Sequence, residues 1–317
     1  MSGASSSTGT VDSVFMFIVG VGIFFLVLIT FLMIFFIIKY SKKRHIKAKD
    51  IHGNTALEII WTVIPTMLVL VMFYFGWKGF KFLRAAPEDA LEVKVTARMW
   101  SWLFDYPNGV QTDTLYVPVN KPVKLLLFSQ DVIHSFYVPA FRIKEDAVPG
   151  YENYLWFEAK EEGSYDILCA EYCGLRHAYM YTKVKVIPPE KFDTWYTDMA
   201  GQVQQTTLTK SGEGSVPKEK SGLAGQRLLQ VKGCMACHST DGSQMIGPTF
   251  KGIYQREQVV LTNGEERLVT SDEEYLRRAI LHPNLEIVKG YNALMPPQEG
   301  MISEEELLAI IQHLKEL

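Results

Sequence analysis

The run "CAEYCGLRHAYM", residues 169–180, sets two Cys, a Glu, a His and a Met close together. These are soft and borderline metal ligands, at a spacing that neither a buried helix nor a buried strand requires. Paired thiols in an oxidising compartment usually end as a disulfide, and the cysteines alone read that way. His177 and Met180 follow at once, however, and His134 stands upstream in "QDVIHSFYVP". Two thiolates, two imidazoles and a thioether select copper by softness over Mg or Ca. On a single metal the two Cys would leave ligands idle; bridging two coppers uses them all.

The remaining two of the four cysteines lie in "CMACH", residues 234–238. This is the c-type haem attachment pattern, in which the two thiols reach both vinyl groups and the adjacent His238 is placed as an axial ligand. Half a zinc site would require a further Cys or His pair, yet His282 and His313 lie 31 residues apart. The βαβ pattern that accompanies a redox C-x-x-C is absent. The sixth iron ligand is expected downstream, at Met295 in "NALMPP", where two prolines stiffen the loop. Met245, Met301 and His282 are weaker candidates. A His/Met pair raises the reduction potential, as suits an electron carrier.

Outside these clusters the chain of 317 residues is 48% hydrophobic with a formal net charge of −3, which gives no reason to expect nucleic-acid binding. Its apolar residues crowd towards the start. Val14–Ile38 carries no charge, and twenty-five helical residues rise about 37 Å, enough for a hydrocarbon layer of about 30 Å. Ile59–Trp77 is also free of charge. The first run is too long for a signal peptide and has no basic segment before it. The pattern predicts a transmembrane hairpin with spans at about 14–38 and 58–80. Lys39, Lys42, Lys43, Arg44, Lys47 and Lys49 fill the loop, while Asp12 alone precedes the first span. By the positive-inside rule the loop is cytoplasmic, and both termini lie on the other side.

After the hairpin (residues 1–88), residues 89–200 read as a β-sandwich of antiparallel strands. "LEVKVTAR" and "MYTKVKVIP" alternate with period two, and Pro, Gly and Asn-Gly signals separate the short runs between them. Residues 201–222 are rich in Gly, Ser, Thr, Gln and charge, and are expected to be a flexible linker. Residues 223–317 read as helical. The closing "SEEELLAIIQHLKEL" has a capping box at Ser303 and Glu306 and one apolar stripe of Leu307, Ile310, Ile311 and Leu314.

Cys169, Glu171, Cys173, His177 and Met180 meet the pattern C-x-E-x-C-x-x-x-H-x-x-M in full, and with His134 the chain resembles subunit II of the haem–copper cytochrome c oxidases. The resemblance implies a multi-domain membrane protein: a two-helix transmembrane hairpin, an all-β cupredoxin-like sandwich and an all-α class I cytochrome c domain, the last fused as in caa-type oxidases. It implies a dinuclear CuA centre to which Glu171 gives its backbone carbonyl, and an interface Mg shared with subunit I that takes the Glu171 carboxylate. In "ARMWSWLFDYP" it maps electron entry to Trp100, though strand packing accounts for much of the alternation of Trp100, Trp102, Phe104 and Tyr106. It gives Glu58, at the start of the second span, a proton-entry role, and makes "GPTFKGIY" similar to the loop in which the Pro248 carbonyl orients His238.

The expected function is thus electron entry to a proton-pumping terminal oxidase of the bacterial cytoplasmic membrane: haem c to CuA, then to haem in subunit I, where dioxygen is reduced. The expected partners are subunit I, other oxidase subunits and a respiratory donor, either cytochrome c or a quinol-oxidising complex. A CuA-containing nitric oxide reductase subunit and a membrane-tethered electron carrier are the alternatives. A quinol-oxidising relative would lack the copper ligands.

Overall fold

A computed structural model describes residues 3–44, 53–208 and 218–317. Two long helices open it, α1 (Thr8–Lys39) and α2 (Thr55–Arg84). Their most apolar windows have mean hydropathies of 3.2 and 2.1, and none of either window is buried within the protein. That exposure excludes the core helix of a soluble protein, because apolar surface on this scale requires lipid around it. The expected spans lie inside the helices. Lys47 and Lys49, at the tip of the basic loop, lie outside the described residues.

Ten strands follow: β1 (Leu91–Arg98), β2 (Ser101–Asp105), β3 (Gln111–Thr112), β4 (Leu115–Pro118), β5 (Pro122–Ser129), β6 (His134–Val138), β7 (Ile143–Ala147), β8 (Asn153–Glu158), β9 (Gly163–Cys169) and β10 (Tyr181–Ile187). They form two facing sheets in the orders β3-β2-β1-β5-β8 and β4-β10-β9-β6-β7. The sheets are mixed, not purely antiparallel, because β1 pairs with β5 and β4 with β10 in parallel. Parallel neighbours cannot be joined by a tight hairpin, so the chain crosses between sheets to make them. Val93, Val95 and Ala97 point into the core as the period-two pattern requires. All four aromatics from Trp100 to Tyr106 are buried there too.

The sandwich is fastened to one end of the helical hairpin. Ser6 N–H donates to the Glu158 carbonyl and Lys160 N–H to that of Ala4, each at 2.9 Å, and Ser5 and Ser7 are buried. At the far end of α2, Arg84 donates to Glu145 Oε2 at 2.8 Å and Trp156 Nε1 to the Phe82 carbonyl at 3.2 Å. The start of α1, the end of α2 and the sandwich therefore share one side of the hairpin.

Two helices occupy both ends of the expected linker: α3 (Pro189–Leu208), whose Trp195 stacks on Tyr116 at 4.6 Å, and α4 (Lys218–Val231). Residues 209–217 lie outside the described residues. The last domain continues through β11 (Glu257–Thr262), β12 (Glu265–Thr270), α5 (Glu273–Leu281), β13 (Ile287–Val288) and α6 (Glu304–Leu314). Its helices carry the core, and the three strands add a small sheet to the expected helical framework. The Ser303–Glu306 capping box is formed, and the stripe Leu307, Ile310, Ile311 and Leu314 is buried.

α4 and α6 cross closely at Gly225, where an added Cβ would lie 2.4 Å from His313 Cβ and 2.5 Å from the Ala309 carbonyl. Gly225→Ala is expected to destabilise this domain by about 1–3 kcal/mol through overpacking. Thermal unfolding followed at the haem band should show an earlier transition, with the sandwich unaffected.

Candidate metal centre and haem cleft

The ligand-rich run hangs between β9 and β10. Cys169 ends β9, and its N–H donates to the Met180 carbonyl at 3.2 Å, so the loop between them is closed at its neck. Within it the sulfurs of Cys169 and Cys173 stand 3.7 Å apart. A disulfide needs about 2.05 Å, so the two thiols face each other unbonded. His134 Nδ1 is 3.8 Å from the Cys169 sulfur, and His177 Nδ1 is 3.5 Å from that of Cys173. Met180 Sδ lies 3.8 Å from Cys173, and the Glu171 carbonyl oxygen lies 3.2 Å from Cys169. All six expected copper ligands thus converge, and His134, Cys169, Cys173 and Met180 are buried.

The thiols are electrostatically unequal. Burial raises Cys169, but hydrogen bonds from His134 and the local backbone outweigh it and bring the thiol down to about 6. Burial and the neighbouring Cys169 charge push Cys173 up to about 12. Cations between the sulfurs remove that conflict, and this donor set fits a soft metal pair.

Asp131 is a contributor the sequence reading missed. Its Oδ1 sits 2.8 Å from His134 Nε2, which leaves Nδ1 turned to the sulfurs, and its Oδ2 accepts from Met99 N–H at 2.6 Å. The acid three residues before a ligand His, in "QDVIH", was the available signal, since a ligand imidazole commonly donates its other N–H to a carboxylate. Trp100 is 5% exposed and donates from Nε1 to the Cys173 carbonyl at 3.0 Å. The Glu171 carboxylate lies 3.4 Å from Lys144 Nζ. Glu58 is far from this centre, exposed in the first turn of α2, where Asn54 caps the helix.

The second centre is an open cleft lined by Cys234, Cys237, His238, Pro248, Met295 and apolar residues of the last domain. His238 Nδ1–H donates to the Pro248 carbonyl at 2.7 Å, fixing the tautomer and leaving Nε2 free. Burial keeps that imidazole below its ordinary pKa, hence neutral. Phe250 stacks on the ring at 4.4 Å, and at Gly247 a Cβ would come within 2.5 Å of His238 Cε1. A locked, neutral imidazole facing an apolar cleft with two free thiols fits a covalently held haem. Met245, Met301 and His282 do not line the cleft; Met295 does.

Three family models match the chain. The family described as cytochrome c oxidase subunit II, transmembrane domain, matches residues 2–78; its periplasmic domain matches 109–187; and cytochrome c matches 223–317. Cytochrome c oxidase subunit 2 of Alkalihalophilus pseudofirmus is 35% identical, the match covering 92% of this chain and 83% of that one. Its counterpart in Cereibacter sphaeroides is 32% identical, over 55% of this chain and 71% of the other. A solved structure of the periplasmic domain of subunit II from Bradyrhizobium japonicum is 31% identical, covering 37% of this chain and 99% of that one, with a TM-score of 0.36.

Asp131→Asn is expected to weaken copper binding by about 10–100-fold, because the carboxylate that orients His134 is lost while every ligand remains. A competition titration with a copper chelator checks this; unchanged affinity would leave Asp131 without a part in the site.

Two spans, a sandwich with a cluster of soft metal donors and a cytochrome c domain, with 92% of the chain matched by a relative 35% identical, place it in the cytochrome c oxidase subunit II family, in its form with a fused C-terminal cytochrome c domain: it is the electron-entry subunit of a haem–copper terminal oxidase.

Proposed function

We propose that Cys169 and Cys173 bridge two coppers in a CuA centre completed by His134, His177, Met180 and the Glu171 carbonyl, and that Cys234, Cys237, His238 and Met295 hold a six-coordinate haem c. When bound, each group supplies one reversible electron. The chain does the rest. Burial of His134, Cys169, Cys173 and Met180 keeps water from those donors, Asp131 and Pro248 hold one imidazole in each centre in a single tautomer, and Trp100 joins the surface of the sandwich to the Cys173 backbone. The observation that carries this reading is the unbonded sulfur pair at 3.7 Å with an imidazole Nδ1 beside each sulfur.

The finer parts of the reading follow the same logic. The positive loop lies in the cytoplasm, so the sandwich and the haem domain face outward. The donor to the haem is a cytochrome c or a quinol-oxidising complex of the respiratory chain. Subunit I lies against the sandwich, with the Glu171 carboxylate available to an interface Mg once it leaves Lys144. Glu58, at the opposite end of α2 from the sandwich, admits protons to subunit I.

Metal analysis of the purified subunit should give two coppers per chain and a mixed-valence signal. Cys173→Ser should abolish that signal and leave the haem band intact. One copper per chain, or zinc in its place, would sink the dinuclear reading.

For Glu58, Glu58→Gln removes a titratable group at constant size. Haem-to-copper transfer should be untouched and steady-state oxygen consumption should fall. Full turnover in the variant would return Glu58 to a solvated helix-end residue of the kind whose exchange costs less than about 0.5 kcal/mol.

A further inference from the structure

The haem cleft is not closed by its own domain alone: Arg98 and Met99, from the end of β1 and the turn after it, form part of its wall. Arg98 is 5% exposed, an unusual burial for a guanidinium. Its Nε donates to Ser101 Oγ at 3.1 Å, and its Nη2 crosses to the last domain, donating to the Val231 carbonyl at 2.9 Å. Val231 ends α4, and a cation is favourable beside the exposed carbonyls of a helix C-terminus. Gly233 stands two residues on, at φ +73°; a Cβ there would lie 2.3 Å from Ser101 Oγ and 3.2 Å from Arg98 Nε. The two domains therefore meet backbone to side chain, one residue before the first haem-attachment cysteine.

The same turn reaches the copper ligands twice. Trp100 Nε1–H donates to the Cys173 carbonyl, and Met99 N–H donates to Asp131, whose other oxygen holds His134. Cys237 and Ile246 of the last domain pack on the sandwich core beside this turn. Arg176, inside the copper loop, lies close enough for its charge to oppose the burial that raises the Cys237 thiol. Residues 98–100 are thus in contact with the haem cleft on one side and one hydrogen bond from the copper loop on the other.

We propose that Arg98 is a positioning residue: it locks the haem domain onto the sandwich so that Met99 and Trp100 span the haem cleft and the copper ligands, and it sets a buried positive charge beside the haem. This rests on the haem and copper reading above.

The test uses the complete purified oxidase. Arg98→Met keeps length and apolar volume but loses the charge and both bonds; Arg98→Lys keeps the charge. Both variants should retain the haem and copper spectra. In Arg98→Met the haem-to-copper transfer should slow at least tenfold, and the haem potential should fall, because a buried cation favours the reduced, electron-richer iron. Arg98→Lys should restore the potential and only part of the rate. Wild-type rate and potential in Arg98→Met would overturn the proposal. If that variant does not assemble, Gly233→Ala, which drives a Cβ against Ser101, takes its place: slowed transfer supports the lock and a wild-type rate overturns it. Absence of haem-to-copper transfer in the unmodified protein would instead defeat the functional reading itself.

Discussion

Two sulfurs held near each other without a bond are the constraint on which the copper domain depends. At 3.7 Å two thiolates repel by about 4 kcal/mol at an effective dielectric near 20, a cost that metal-free protein avoids by leaving one proton in place. The loop accepts this geometry because its neck is closed by the Cys169–Met180 backbone bond and its centre is pinned by Trp100 on the Cys173 carbonyl. Each imidazole then needs only small adjustments to meet a metal. Burial of His134, Cys169, Cys173 and Met180 keeps water away from the sulfur pair.

A site of this kind is useful only at a fixed distance from its partners, and much of the remaining architecture supplies that distance. The N-terminal segment and both hairpin ends are bonded to the sandwich, so the copper loop stands at a set height above the lipid. On the opposite front the haem domain is seated by Arg98, Ser101 and Gly233 on the very turn that touches the copper ligands. Small side chains and backbone atoms at this contact let the domains approach closely. α3 and α4 shorten what would otherwise be a long tether.

The parts legible in the sequence were those whose chemistry needs particular residue types: the copper run, C-x-x-C-H, the two charge-free spans, and the capping box of α6. Met295, which two prolines follow, lines the haem cleft, whereas Met245, Met301 and His282 do not. What the sequence hid has physical causes. Arg98 reads as the outward residue of an alternating strand, yet it is buried and bonds the Val231 carbonyl of the last domain. Ser5 and Ser6 look like a polar tail, yet Ser5 Oγ donates to the Phe141 carbonyl and Ser6 N–H to that of Glu158. Residues 201–208 lack an apolar stripe and still continue α3 from its packed first turns. The hairpin of β11 and β12 did leave a signal, Asn263-Gly264, whose φ values of 52° and 87° are those of the tight turns that join twisted strands.

The docked geometry requires the electron to pass within one chain, between two centres at a fixed separation. Photoreduction of the haem in the complete oxidase, followed simultaneously at the haem and copper bands over a wide range of protein concentration, tests it most directly. Haem reoxidation and copper reduction should share one rate constant that does not change with concentration. A rate proportional to concentration, or haem reoxidation while the copper band stays still, would contradict it.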